Sequence, residues 1–167
     1  MKPIPLTARF SVAGQPQLTD FAEYRRLGYT TIINTRPDGE DPTQLGSTVE
    51  FEAAKAAGLN YVYIPVIATS ISATDLRRFN EAIASSEEPV LAHCRSGTRA
   101  FHMWVRAGQA DLEGISNDRL IAMAASIGID PNAASTWLAD GPQLRHEIEE
   151  DVEPLPTNAT DGRPDTI

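Results

Sequence analysis

The sequence predicts an α/β fold, with a mostly parallel central sheet of four to five strands flanked by helices. Three short apolar segments, near Ile32, Val62 and Val90, have the pattern of buried strands. Helical patterns separate these segments, and parallel strands need crossover connections of this kind. A parallel sheet covered on both faces binds its ligands at the carboxyl ends of its strands. Functional residues are therefore expected at that edge.

The first half of the chain contains two helices and the first of these strands. Residues 21–28 have the pattern of a short helix that ends at a glycine, and residues 31–34 follow as a buried strand. Ser47 and Glu50 have the spacing of a capping box. This spacing predicts a second helix that begins there and stops at Gly58.

The second half repeats the strand and helix pattern. Residues 60–66 are predicted as a strand, and Ser72 with Asp75 forms the cap of a third helix. The apolar faces of the later helices comprise Leu76, Phe79 and Ile83, then Ala100, Phe101, Trp104 and Ala107, then Ile121, Ala122, Ala125 and Ile127. Weaker helical patterns cover residues 132–140 and 144–150.

Length and charge favour one enzyme-sized domain with an acidic tail. The chain has 167 residues and a net charge of −9, which disfavours nucleic acid as a partner because a polyanion would be repelled. Residues 147–167 contain seven acidic side chains and one arginine, and they have little apolar surface to bury. We therefore expect a catalytic domain over residues 1–146 and a flexible acidic tail over residues 147–167.

Cysteine usage and hydropathy point to a cytoplasmic protein. The chain contains one cysteine, so it forms no internal disulfide, which is typical of a reducing compartment. Its start lacks an apolar stretch long enough for a signal peptide, and no apolar run is long enough to span a membrane. We expect no membrane partner.

The lone cysteine, Cys94, lies where a predicted strand passes through a tight turn into a helix. Such a turn aims backbone N–H groups and the positive end of the helix dipole at one point, which favours a thiolate and binds anions. Cys94 is therefore the candidate nucleophile, and Arg99, less surely Arg95, would orient an anionic substrate. The remaining anion-binding loop comprises Ser96, Gly97 and Thr98. The alternative is a buried structural thiol.

Three blocks of sequence resemble the beta-lactamase hydrolase-like family of bacterial phosphatase-like domains. They are His-Cys-Arg-Ser-Gly-Thr-Arg at 93–99, Ile-Asn-Thr-Arg-Pro-Asp-Gly-Glu at 33–40 and Tyr-Val-Tyr-Ile-Pro-Val at 61–66. The resemblance covers about residues 8–112. It implies a fold like that of dual-specificity tyrosine phosphatases, and several members of the family are described as sulfur transferases.

The spacing of the active loop separates two chemistries. Tyrosine-phosphatase-like enzymes have five residues between the nucleophile and the arginine, whereas four lie between Cys94 and Arg99. The string Cys-Arg-Ser-Gly-Thr-Arg is similar to the loop of rhodanese sulfurtransferases. A shorter ring suits a persulfide sulfur better than three phosphate oxygens. The Gly-His-Ile-Pro-Gly-Ala type block of rhodanese domains is absent from the sequence.

Two further departures from the phosphatase pattern point the same way. The aspartic acid that protonates the leaving group is missing after residues 64–66, and Ala100 stands where phosphatases of this type place Ser or Thr. Asp38 could be a substitute acid, but an aspartate between Pro37 and Gly39 is more often a turn residue. We therefore rank sulfur transfer through a Cys94 persulfide first. Phosphoryl hydrolysis through a Cys94 thiophosphate is the alternative, and a non-catalytic anion- or persulfide-binding module is the second.

Several residues are expected to support the loop. By resemblance, His93 would position it through hydrogen bonds, with a merely buried imidazole as the alternative. Arg36 and Glu40 form a supporting ion pair or a solvated surface pair. The pocket is expected between three loops, residues 34–40, residues 66–72 and the Cys94 loop.

No cofactor or metal is expected. The three histidines are far apart in the sequence and lack neighbours at ligand spacing, and His102 is expected on a helix surface. The expected partners are a small anionic sulfur donor or phosphate ester, an external thiol acceptor and a persulfide-handling enzyme.

Overall fold

A single five-stranded sheet forms the centre of the molecule, in a computed structural model that describes residues 2–139. The strands are β1 (Ile4–Pro5), β2 (Phe10–Ala13), β3 (Thr31–Asn34), β4 (Asn60–Tyr63) and β5 (Val90–His93). They lie in the order β1-β2-β5-β3-β4, and every neighbouring pair is parallel except β1 with β2. The expected α/β fold with a mostly parallel sheet is confirmed.

Helices cover both faces of this sheet. They are α1 (Leu18–Arg26), α2 (Ser47–Ala56), α3 (Ala73–Ala84), α4 (Thr98–Arg106), α5 (Gln109–Leu112), α6 (Asn117–Ser126) and α7 (Pro131–Ala139). Helices α1 and α2 bury side chains in a smaller cluster on one face, and α3 to α7 contribute to a larger cluster on the other. Within the described residues no helix is both long and apolar enough to cross a membrane.

The two clusters follow from the alternation of side chains along the central strand β5. Val90 and Ala92 belong to the larger cluster, whereas Leu91, between them, belongs to the smaller one. In the larger cluster the Phe10 ring stacks on Trp104, with ring centroids 5.9 Å apart. Because both faces of β5 are buried, its last residue, His93, and the Cys94 loop that follows are held on a rigid support.

Strands β1 and β2 were not identified individually from the sequence. Strand β1 has two residues, one of them Pro5, and β2 has the short run Phe-Ser-Val-Ala. Neither is long enough to show alternation, so β2 is placed by its pairing with β5, and β1 by its pairing with β2. Strand β4 ends at Tyr63 rather than at residue 66, although the N–H groups of Ile64 and Val66 still donate to the carbonyl oxygens of Asn34, the last residue of β3, and Thr35.

The two predicted capping boxes have opposite outcomes. The one formed by Ser72 and Asp75 is confirmed, since each side chain accepts a hydrogen bond from the other residue's N–H group. The one formed by Ser47 and Glu50 is wrong: Gly46 is the N-cap residue, and Ser47 is already helical. Glu50 is instead 1% exposed and belongs to the site described below.

Two expectations about the later helices need correction. In α6 the buried residues are Leu120, Met123 and Ala124, whereas Ala122 and Ala125 are exposed. The buried face of α6 is determined by its larger Leu and Met side chains, because they bury more apolar surface than alanine does. His102 is half-buried and stacks on Trp137 of α7 at 4.5 Å, because α7 covers the helix face that the sequence leaves open.

The helix expected over residues 144–150, the domain boundary at residue 146 and the acidic tail over residues 147–167 lie outside the described residues.

Candidate active site

Cys94 begins the loop that joins strand β5 to helix α4. Cys94 is 2% exposed, and its backbone nitrogen lies 3.4 Å from the carbonyl oxygen of Ala13, the last residue of β2. The Gly97 N–H group donates a hydrogen bond to Cys94 Sγ over 3.2 Å. Helix α4 starts at the next residue, so the positive end of its dipole lies beside the sulfur. The predicted turn is therefore present, and it directs a backbone donor to the sulfur.

Gly97 is required by its backbone conformation. Its φ is +96°, in the left-handed region where side-chain-bearing residues are strained. A Cβ atom here would lie 3.4 Å from the Ala13 carbonyl oxygen, which is ordinary contact and not a clash. The sharp turn that aims the Gly97 N–H group at sulfur thus depends on the absence of a side chain.

The two arginines of the loop have different surroundings. Arg99 is 16% exposed, and its guanidinium donates to the Thr35 carbonyl oxygen at 3.2 Å and to Glu40 Oε1 at 2.7 Å. Arg95 and Ser96 are exposed, and Ser96 Oγ lies 3.1 Å from Thr98 Oγ1. Arg99 is therefore the arginine fixed beside the loop, and Arg95 faces solvent.

Glu40 joins Arg99 to Arg36. Its second carboxylate oxygen accepts a hydrogen bond from Arg36 Nε at 3.0 Å. Burial raises the pKa of Glu40, but the hydrogen bonds from Arg36 and Arg99 outweigh it and hold the pKa below its ordinary value. The Arg36 side chain is only 4% exposed, so this is a supporting ion pair and not a solvated surface pair.

Glu50 is a functional candidate that the sequence analysis missed. Its carboxylate is surrounded by Gln15 Nε2 at 2.6 Å, Asn34 Nδ2 at 2.8 Å, Tyr61 hydroxyl at 2.8 Å and His93 Nε2 at 3.1 Å. Burial raises its pKa, but the neighbouring His93 ring and the hydrogen bonds from Tyr61 and Gln15 bring the pKa below the ordinary value. Glu50 is the fourth residue of α2, where a glutamate resembles part of a helix cap in the sequence. Nothing in the neighbouring sequence indicates that its side chain is buried.

His93 lies behind the nucleophile, fully inside the protein. It is 1% exposed, and its contact with Glu50 is too poorly aligned for a linear hydrogen bond. Among the described residues its Nδ1 atom has no hydrogen-bond partner. His93 also supports the loop through its backbone, since its carbonyl oxygen accepts from both the N–H group and the hydroxyl of Thr35. The support expected of His93 is therefore carried in part by its main chain.

Asp38 is turned toward helix α2. Its two carboxylate oxygens accept hydrogen bonds from the Ser47 N–H group at 2.7 Å and the Ser47 hydroxyl at 2.6 Å. This arrangement satisfies a free N–H group of the first helical turn. These contacts fit the turn interpretation of Asp38.

A loop that was not expected also reaches the site. It follows β2: the Gln15 N–H group donates to the Arg95 carbonyl oxygen at 3.1 Å, and Gln15 Oε1 accepts from Arg36. In the loop of residues 66–72, Val66 binds the Thr35 carbonyl oxygen and Ile71 is buried in the core. Strand β2 lies beside β5 in the sheet, and this neighbour was not visible in the sequence.

In the part of the chain that the structure describes, no group of three or more His, Cys, Asp or Glu side chains is placed to hold a metal ion.

The parallel sheet and the cysteine loop at its carboxyl edge define a phosphatase-like α/β domain. A putative phosphatase from Neisseria meningitidis has the same fold, with a TM-score of 0.71 and 29% identity over 83% of this chain and 96% of that one. P. aeruginosa TpbA, solved in complex with phosphotyrosine, matches with a TM-score of 0.62 and 18% identity over 88% of this chain and 90% of that one.

More particularly, the chain belongs to the family described as beta-lactamase hydrolase-like protein, phosphatase-like domain, whose model matches residues 4–111. Beta-lactamase hydrolase-like proteins of Xylella fastidiosa strain Temecula1 and Agrobacterium fabrum are each 42% identical to it, over 138 and 139 residues. Each match covers 83% of this chain but 32% of the relative. The chain thus spans about a third of the length of these relatives.

These comparisons confirm the family and fold that the sequence resembles, and they change the ranking of the two chemistries. The matching family and structures are phosphatase-like. They support phosphoryl chemistry, the alternative in the sequence analysis, better than its first choice, sulfur transfer through a rhodanese-like loop. The loop spacing alone was weak evidence for the reaction type, because it concerns six residues, whereas the fold and family comparisons cover most of the domain.

Proposed function

We propose that this domain hydrolyses phosphate monoesters through a covalent thiophosphate on Cys94. The observation that carries the proposal is the hydrogen bond from the Gly97 N–H group to Cys94 Sγ at the start of helix α4. Oriented backbone donors at a helix N-terminus stabilise a sulfur anion, and the same donors bind phosphate oxygens. The membership of a phosphatase-like family supports this choice of substrate.

The reaction has two steps. In the first, the Cys94 thiolate attacks phosphorus, the S–P bond forms and the ester P–O bond breaks with its electron pair on the leaving oxygen. In the second, water attacks phosphorus, the S–P bond breaks and the thiolate returns as inorganic phosphate leaves. The loop N–H groups and the Arg99 guanidinium bind the phosphoryl oxygens in both steps.

The leaving group is expected to receive its proton from water. Both oxygens of Asp38 accept hydrogen bonds from Ser47, and both oxygens of Glu40 accept from arginines. A carboxyl group whose two oxygens already accept hydrogen bonds within the protein is poorly placed to donate a proton. We therefore expect aryl phosphates, whose leaving groups are stable as anions, to react faster than alkyl phosphates.

Sulfur transfer is the second candidate. It is favoured by the four residues between Cys94 and Arg99 and by Ala100, a buried residue that has no hydroxyl to help break a thiophosphate. In this reaction the Cys94 thiolate attacks the outer sulfur of an anionic donor such as thiosulfate, and sulfite leaves. The persulfide sulfur is then taken by an external thiol or by cyanide, and a persulfide-handling enzyme would be the natural partner.

Parallel turnover assays distinguish the candidates. The protein is incubated with p-nitrophenyl phosphate in one set and with thiosulfate plus cyanide in another, with Cys94→Ser as the inactive control. We expect nitrophenol release and little thiocyanate. Thiocyanate without nitrophenol would replace the proposal by sulfur transfer, and phosphate binding without either product would favour a non-catalytic anion-binding module.

Two matched arginine variants test the geometry of the loop. Arg99→Lys removes the fork that binds both Glu40 and phosphate oxygens, so we expect kcat/KM to fall by about a hundredfold. Arg95→Lys changes an exposed side chain on the same loop and is expected to change kcat/KM by no more than about twofold. Equal losses in the two variants would contradict the assignment of Arg99.

A further inference from the structure

Glu50 lies at the centre of a hydrogen-bond network that leads to the active loop from two directions. It belongs to helix α2, outside the loop, and is 1% exposed. Its carboxylate has two oxygens, and the structure places donors from Gln15, Asn34 and Tyr61 and the His93 ring around them. A buried carboxylate is costly unless it is satisfied in this way, so a carboxylate kept here calls for a role.

One arm of the network runs to Arg99. Glu50 Oε1 accepts from Gln15 Nε2, which directs the other end of the same amide, Gln15 Oε1, to Arg36 Nη1 at 2.9 Å. Arg36 Nε then holds Glu40 at 3.0 Å, and Glu40 holds Arg99 at 2.7 Å. Each side chain in this series restricts the orientation of the next one. An amide, carboxylate or guanidinium group that is hydrogen-bonded at one end cannot rotate freely to redirect its other end.

A second set of contacts orients Arg36 from its main chain. The Asn34 side-chain amide donates to Glu50 Oε2 and to the Tyr61 hydroxyl, and its oxygen accepts from the Arg36 N–H group at 2.8 Å. Arg36 is therefore held at its backbone and at its guanidinium by residues that both bind Glu50.

The other arm reaches the backbone of the loop itself. The Gln15 N–H group donates to the Arg95 carbonyl oxygen. In a planar trans peptide the carbonyl oxygen and the following N–H group point in opposite directions. Holding the Arg95 oxygen toward Gln15 thus turns the Ser96 N–H group away from Gln15. The same peptide unit that contacts Gln15 therefore sets the direction of one loop donor.

We propose that Glu50 is a positioning residue of the site, whose carboxylate holds Arg99 and the loop peptide donors in the orientation that receives the phosphoryl group. This inference rests on the proposed function where the effect of Glu50 is measured by turnover. The same effect can also be measured by phosphate binding alone, without turnover. Glu50 does not touch the substrate, and it acts through Gln15, Arg36 and Glu40. The part of this effect that runs through Glu40 to Arg99 must disappear when Arg99 can no longer form its fork.

A double-mutant cycle tests this dependence. The dissociation constant of inorganic phosphate is measured by calorimetry for wild type, Glu50→Gln, Arg99→Lys and the double variant. Glu50→Gln keeps the shape of the side chain but replaces one acceptor by an amide donor. We expect it to weaken phosphate binding about tenfold in the wild-type background and by a smaller factor, about threefold, in the Arg99→Lys background, where only the arm to the loop backbone remains.

Two more variants make the result interpretable. Glu52→Gln changes an exposed glutamate two residues further along the same helix, and we expect no change in phosphate binding. Gln15→Ala leaves Glu50 with its other neighbours and removes the side-chain amide that links Glu50 to Arg36, while the Gln15 N–H group that donates to the Arg95 carbonyl oxygen remains. It tests the proposal if Glu50→Gln fails to fold, and the expected loss of phosphate affinity is again about tenfold.

The outcomes separate this inference from the proposed function. A purely structural role would lower stability and would weaken phosphate binding by the same factor with and without Arg99, which would overturn the inference. Unchanged binding in Glu50→Gln would also overturn it. If wild type binds phosphate but hydrolyses no ester, the proposed function fails while the cycle still measures the coupling. If wild type binds no phosphate, both are wrong.

Discussion

Replacing Gly97 by alanine separates the strain of the loop from its function, because the chain offers a close control. Gly97 has φ +96° and Gly28, at the end of helix α1, has φ +93°. A Cβ atom at Gly28 meets nothing within 4 Å, and one at Gly97 makes only an ordinary contact at 3.4 Å. The two substitutions therefore impose nearly the same backbone strain.

The expected magnitudes follow from this geometry. A left-handed conformation costs alanine about 1–2 kcal/mol, and the reduced freedom of the unfolded chain offsets about 0.4–1 kcal/mol of it. Both variants should lose roughly 0.5–1 kcal/mol of unfolding free energy. Only Gly97→Ala should also disturb the N–H group that donates to Cys94 Sγ. Loss of a hydrogen bond to a charged group weakens phosphate binding by about tenfold or more.

Urea unfolding and phosphate calorimetry on the same two variants measure both effects. The account requires similar stability losses and a loss of phosphate affinity in Gly97→Ala alone. Full affinity in Gly97→Ala would refute the role assigned to this N–H group. An equal loss in Gly28→Ala would show that the effect is global.

Three further predictions concern stability and the leaving group. Asp38→Ala removes the hydrogen-bond acceptor for Ser47 and should cost about 1 kcal/mol of unfolding free energy. It should leave kcat/KM for p-nitrophenyl phosphate within about twofold of wild type. A loss of kcat/KM of about a hundredfold or more would make Asp38 the acid. The folded pKa of Glu50 lies below its ordinary value of 4.5, so its ionised form stabilises the protein above that pH. Unfolding free energy measured against pH should fall as acid protonates Glu50, and the fall should be shallower in Glu50→Gln; identical slopes would contradict this. Phe79→Ala empties a fully buried position and should cost about 3–5 kcal/mol, whereas Phe51→Ala, at a position 44% exposed, should cost under about 1 kcal/mol in the same thermal melts.

The sequence was a good guide to strands β3 and β5 because these strands are largely apolar and buried. The segments at Ile32 and Val90 and the helix containing Trp104 are recognisable from their own residues. Strand β2 is not, because its identity as a strand comes from pairing with β5 and not from its four residues. The same limit hid Gln15, which reaches the site only because β2 lies beside β5.

The site shows the same division between local and distant information. Cys94, Gly97 and Arg99 lie within six residues, so the turn between strand and helix could be predicted from the chain. Glu50 is 44 positions away from Cys94 in the sequence, and a local pattern made it look like a cap. Its burial depends on side chains from β3, β4 and β5 that meet only in the folded sheet. Asp38 is similar, since its partner Ser47 is nine residues further along.

The most direct test of the account is the intact mass of the protein quenched during turnover of p-nitrophenyl phosphate. We expect wild type to gain one phosphoryl group that maps to Cys94 and Cys94→Ser to gain none. A wild-type enzyme that releases nitrophenol without any phosphorylated cysteine, or that gains one sulfur atom from thiosulfate instead, would contradict the thiophosphate mechanism.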